Sequence, residues 1–342
     1  MKLSTVILAI GTLVGVATIY SFTSNGEIGN VNEISEYTNS NTVLNENINI
    51  LITPDLSNRI TEKYSKPLCD EDIIYNIMES YYPSIYQSSG RIIGQKDKLS
   101  ILLTTPKLVN NYNIKMEQLR IDLSSFNDSE RIVYLTDSSK SGNTYKNDVK
   151  EFNMEINNVY QSAKKAPVGA DIRNLLESQL NSNNILSDPD TINAFGKTVV
   201  TKNRNVLILI TDGYMESGSN ARPKNGNKCY YLSKKEVDRF RTKFLNSDET
   251  NIKVFFDKNG FGIVPVENEN LKNIEIIAIE FYDRSLSKES GSSRVKPDDY
   301  DIMKLFWEDW MLKSGVKRFE VHENFSSKSE SQTVINNFIN GE

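Results

Sequence analysis

The sequence predicts an α/β fold of the doubly wound, Rossmann-like kind: a mostly parallel sheet with helices on both faces and an antiparallel hairpin at one edge. Two observations carry this expectation. Three runs, "INILIT" (48–53), "NVLILIT" (205–211) and "IEIIAIEFY" (274–282), are continuously apolar and β-branched, as strands are when helices cover both faces of a parallel sheet. Segments with helical periodicity lie between and after them, so strand and helix alternate along the chain.

The chain opens with "MKLSTVILAIGTLVGVATIYSF" (1–22), a single Lys ahead of a long apolar run. This reads as a secretory signal peptide or as an N-terminal membrane anchor that keeps Lys2 on the cytoplasmic side. Either reading makes the protein exported: periplasmic, extracellular, or anchored with its domain outside the cytoplasm. Residues 23–47 are rich in Asn, Ser, Thr and Glu with only scattered apolar residues, the composition of a disordered polar linker. The folded domain is expected over 48–325, with 326–342 as a C-terminal tail.

Within the domain, "DEDIIYNIMESYY" (70–82) sets Ile73, Ile74, Ile77, Met78 and Tyr81 on one helical face, and "NDVKEFNMEINNVYQSA" (147–163) does the same with Val149, Phe152, Ile156, Val159 and Tyr160. The alternating stretches "KLSILLTT" (98–105) and "IKMEQLRIDLSS" (114–125), separated by "PKLVNNYN", predict the edge hairpin. A helix is expected from Pro297 and Asp298 to Gly315, which suits a left-handed C-terminal cap, followed by a last strand over 316–322. The segment 214–273 is far longer than a usual strand-to-helix connection and reads as an insertion. It holds a polar loop leading into a helix, then two apolar runs around "DKNG" that predict a hairpin.

Composition narrows the function classes. The 40 Lys and Arg against 45 Asp and Glu, a net charge of −5 with no basic cluster, exclude an extended phosphate-binding face, so no nucleic-acid partner is expected. Membrane contact is expected only through the N-terminal segment. Cys69 and Cys229 are the two thiols and His322 the one His; together they are too few for a structural zinc site, while an exported location permits a Cys69–Cys229 disulfide. His322 reads as a surface residue at a strand end.

Ligands of open parallel sheets bind beyond the carboxyl ends of the strands, and aspartates gather there: Asp55 in "ITPDLSNRI", Asp212 in "LILITDG" and Asp283 in "IEFYD". Neighbouring carboxylates repel unless a cation or a guanidinium neutralises them, and Asp with Ser hydroxyls suits a hard divalent cation better than zinc. Plainer roles are open as well: Asp212 with Gly213 is a turn pair in any context. Asp55 and Ser57 serve equally well as turn or N-cap residues, Asp171 as an N-cap for "IRNLLESQL", and Asp137 in "YLTDSSKSG" as a loop residue.

The pair "ILITPDLSNRI" and "VLILITDG" resembles the von Willebrand factor type A (vWA) domain, over roughly residues 48–325. Its metal-ion-dependent adhesion site uses Asp-x-Ser-x-Ser after the first strand, a Thr from a later loop, and the Asp of a strand-ending "TDG". The resemblance implies metal ligands at Asp55, Ser57 and Asp212. It departs from the pattern at Arg59, which replaces the second Ser, and at Ala170 in "PVGADIRNLL", which replaces the Thr; Arg59 and Asp171 are possible modifiers. It implies weak Mg²⁺ or Ca²⁺ binding, or an Arg59 guanidinium bridging Asp55 and Asp212 in the ion's place. The function implied is a non-enzymatic binding module that engages a protein partner, as in adhesion. Two other classes stay open: a metal-dependent, phosphoesterase-like hydrolase, and a scaffold whose ion site has decayed.

Overall fold

The computed structural model describes residues 21–22, 28–29, 42–61, 67–87, 94–104, 106–136, 144–186, 192–194, 197–216, 226–287, 290–293 and 295–341. The signal-or-anchor expectation and Asp137 lie outside these residues, apart from a two-residue pairing of Ser21–Phe22 with Ile28–Gly29. Among the described residues no helix is long and apolar enough to cross a membrane.

The sheet is built from β1 (Thr42–Pro54), β2 (Lys98–Ile101), β3 (Arg120–Asp122), β4 (Lys197–Ile210), β5 (Ile274–Phe281) and β6 (Arg318–Glu323). Their spatial order is β3-β2-β1-β4-β5-β6, with a short strand Ile192–Ala194 pairing antiparallel to the start of β4. All neighbours on this path are parallel except β2 and β3. The helices are α1 (Asp70–Gln87), α2 (Pro106–Tyr112), α3 (Asp128–Thr136), α4 (Tyr145–Lys165), α5 (Lys234–Leu245), α6 (Ile252–Lys258), α7 (Asp299–Lys313) and α8 (Lys328–Asn340).

The three apolar runs are the central strands, and their alternate side chains enter two cores. Ile48, Ile50, Ile52, Val206, Ile208, Ile210, Ile277 and Ile279 pack with α1, α4 and α8. Leu51, Leu207, Leu209, Ile274, Ile276 and Ala278 pack on the other face with residues 172–180, α5 and α7. Continuous apolarity was required because neither face meets water.

Four boundaries differ from the sequence expectation. β1 begins at Thr42, inside the expected linker, because its polar first half pairs residue by residue with β4 as far as Thr198. The edge pair is antiparallel as expected, but "PKLVNNY" is helix α2 rather than a turn; Val109 and Tyr112, three residues apart, both pack on the core. The "DKNG" hairpin is instead helix α6, started by Asn251, whose side chain accepts from the Lys253 and Val254 amides. After it, Gly262–Ile263 pairs in parallel with Lys228–Cys229. Residues 326–342 do not trail away: Ser327 caps α8, and Ile335, Phe338 and Ile339 join the first core. No disulfide joins Cys69 to Cys229, and Cys229 is buried. His322 stands near the end of β6, at the expected strand end, but is half-buried rather than fully at the surface.

β5 carries one irregularity that shapes the cleft. Its register against β6 shifts between Ala278 and Phe281, where Glu280 adopts φ +70°. The extra residue turns the Glu280 carboxylate to the Phe325 amide, at 3.1 Å, and returns Phe281 to the second core. There the Phe281 ring lies so close to Gly213 that a Cβ on Gly213 would sit 2.8 Å from Phe281 Cδ2. Gly213 also has φ +87°, so only glycine fits this turn without strain.

Candidate functional site

Sheet pairing brings the predicted residues together. As β1 ends, the Asp55 amide still donates to the Ile210 carbonyl at 2.8 Å, which fixes Asp55 beside the end of β4 and hence near Asp212. A bridge between Leu56 and Val168 lays the 167–170 loop over the same edge. The resulting cleft, about 300 Å³, is lined by Asp55, Ser57, Asn58, Arg59, Gly169, Ala170, Asp212, Tyr214, Glu216 and Arg284 among others.

Asp55 is buried and its oxygens are occupied. Oδ1 accepts from the Ser57 amide at 3.1 Å and the Ala170 amide at 3.0 Å, and Oδ2 accepts from Ser57 Oγ at 3.2 Å. Ala170 thus contributes through its backbone at the position where the vWA pattern has a Thr hydroxyl. Burial is the largest influence on Asp55 and raises its pKa; Arg59 opposes this, and Asp212 adds to it. Ser57 also caps the short turn at Asn58–Ile60, so its plainer role and its cleft role coexist.

Arg59 does not bridge Asp55 and Asp212. Its Nη2 pairs with the buried carboxylate of Asp70 and donates to the Ile210 carbonyl at 3.0 Å, while Nε donates to the Asp55 carbonyl at 2.9 Å. The Asp55 carboxylate is 3.9 Å from Nε. Burial disfavours the guanidinium charge, but Asp70 and then Asp55 outweigh it and raise its pKa. Tyr160 also donates to Asp70, at 3.2 Å. Arg59 is therefore a strut under the cleft that ties β1, β4 and α1.

The cation on Asp212 is Arg284. Its Nη2 donates to Asp212 Oδ2 at 2.8 Å and its Nη1 to Glu216 at 2.9 Å, and its guanidinium lies 4.2 Å from the Tyr214 ring centroid. Asp212 Oδ1 accepts from the Tyr214 amide at 3.1 Å. Burial works against the Arg284 charge, and the Asp212 carboxylate outweighs it and raises the pKa. Tyr214 is held in turn by Asp299, which also pairs with Arg241; burial first and Asp299 second raise the phenol's pKa.

Arg284 escaped sequence reasoning, although it directly follows the strand-end Asp283, a position as informative as that of Asp212. Asp283 itself accepts from Ser285 at 2.7 Å in its own turn. Asp171 caps the short helix at Ile172–Asn174 through the Asn174 amide at 3.0 Å.

As these side chains lie, they do not fit a divalent cation. Each carboxylate oxygen of Asp55 and Asp212 already accepts a protein donor, and guanidinium groups stand 3.9 Å from Asp55 and 2.8 Å from Asp212. What opposes a cation is the charge already in place, since a guanidinium 2.8 Å from Asp212 repels a divalent ion at the same carboxylate.

No protein-family model matches the chain, and no curated protein matches it in sequence. Among solved structures it is similar to the pilus adhesin SpaC from Lactobacillus rhamnosus GG, at 11% identity and a TM-score of 0.32, over 86% of this chain. The chain spans only 30% of that adhesin's length. A likeness this distant assigns neither family nor activity.

Proposed function

We propose that this chain is an exported, vWA-like binding module that engages a protein partner at the strand-end cleft of Asp55, Asp212 and Arg284. The observation that carries the proposal is that every carboxylate oxygen of Asp55 and Asp212 is already held by at least one protein donor. A hydrolase needs a carboxylate or metal with a position open for the attacking water, whereas side chains locked by mutual hydrogen bonds make a rigid recognition surface. The doubly wound sheet, its antiparallel edge and the two aspartates at adjacent strand ends support the vWA resemblance. Export rests on the apolar run of residues 1–22.

The test is site-specific photo-crosslinking in the native host. A photoreactive residue at Asn58 or Glu216 is expected to capture one protein, while the same residue at Lys317, by the start of β6 at the opposite end of the sheet, does not. Equal capture from all three positions, or none from the cleft, would overturn the reading. So would phosphoesterase activity lost on Asp55→Asn.

A further inference from the structure

We infer that Arg284 is the resident cation of the cleft: its guanidinium takes the charge role that the vWA resemblance gives to a divalent ion, so the site works without one. This deepens the binding reading above and rests on it for the cleft's role. Two buried carboxylates face this cleft, and each needs a compensating charge. Arg59 is committed below to Asp70, the Ile210 carbonyl and the Asp55 carbonyl, which leaves Asp212 to Arg284.

Arg284 is built in rather than draped over the site. Asp212, 4% exposed in its side chain, holds one nitrogen, Glu216 holds another, and the Tyr214 ring supports the plane from one face. Tyr214 cannot easily yield, because its hydroxyl is tied to the fully buried Asp299. A divalent ion bound to Asp212 Oδ2 would lie within roughly 4 Å of this guanidinium, where like charges repel strongly. Binding such an ion therefore requires Arg284 to leave, and Arg284 is what the ion would replace.

Removing the arginine should uncover the ion site. Thermal unfolding of the full chain is compared in EDTA and in about 10 mM MgCl₂ or CaCl₂. The wild type and Arg284→Lys, which keeps a tethered cation, should melt alike in all three conditions. Arg284→Ala should melt lower in EDTA and regain about 5 °C with either ion if the ion is present near 100 Kd; Asp212→Asn in that background should cancel the gain. Should Arg284→Ala fail to fold, the neutral Arg284→Gln of similar length carries the same comparison. Stabilisation of the wild type by either ion, or no ion response once Arg284 is neutralised, would overturn the inference. Those outcomes are read without any partner, whereas loss of the cleft crosslinks would overturn the binding reading and leave this result standing.

Discussion

Arg284, in the turn after β5, meets Asp212, at the end of the neighbouring β4, through an Nη2–Oδ2 hydrogen bond of 2.8 Å, and its second carboxylate partner is the far more exposed Glu216. The two pairs differ in worth. The Asp212 side chain is 4% exposed and that of Glu216 53%, so solvent screens only the second. Asp212→Ala is expected to cost about 2 kcal/mol, because it strands a partly buried guanidinium, and Glu216→Ala less than about 0.5 kcal/mol. Urea denaturation of the two variants checks the asymmetry; equal losses would contradict it.

Arg59 has three acceptors on three segments, so its removal should act on the fold. Arg59→Ser leaves Asp70 buried without its cation, and a loss of about 3–5 kcal/mol is expected. Arg59→Lys should recover only part of it, since one ammonium cannot reproduce the fork that reaches the Asp55 and Ile210 carbonyls together. Chemical unfolding of both variants tests this. Full recovery by Lys would mean that charge alone matters here.

The Asp55 carboxyl titrates above its ordinary value of 3.8, chiefly because it is buried. Its contribution to stability is therefore fully present below the unfolded pKa and declines as pH rises towards the folded one. Asp55→Asn keeps an oxygen for the Ser57 and Ala170 amides and does not titrate. The variant should gain on the wild type as pH rises above the ordinary carboxylate range, read as a difference in urea midpoint. A widening deficit for the variant would show that Arg59 draws net benefit from the charge.

Gly213 is constrained twice, by φ +87° and by the Phe281 ring 2.8 Å from where a Cβ would stand. Gly213→Ala is expected to destabilise by more than about 2 kcal/mol. If the clash is the larger share, Phe281→Leu in the same chain should return part of that loss; two losses that simply add would assign it to the backbone instead. Equilibrium unfolding of the single and double variants distinguishes these.

What the sequence determined by itself was the sheet and the place of the cleft. The uninterrupted apolar runs at 48–53, 205–211 and 274–282 admitted only strands covered on both faces, and Asp55 and Asp212 followed as strand-end residues because each closes such a run. Local signals failed where a short apolar segment suits either period: "PKLVNNY" and "IKVFFDK" became helices once Val109, Tyr112, Phe255 and Phe256 had cores to enter. The choice of counter-ion was decided by tertiary structure alone. Arg59 stood where the vWA resemblance implies a serine, yet it turned beneath the cleft, because the start of α1 offered it the buried Asp70. Arg284, 72 residues from Asp212, arrived beside it through the parallel pairing of β5 with β4 and the Tyr214 ring beneath its guanidinium. Charge pairing of this kind depends on distance in space and on burial, and neither is written in the spacing of residues along a chain.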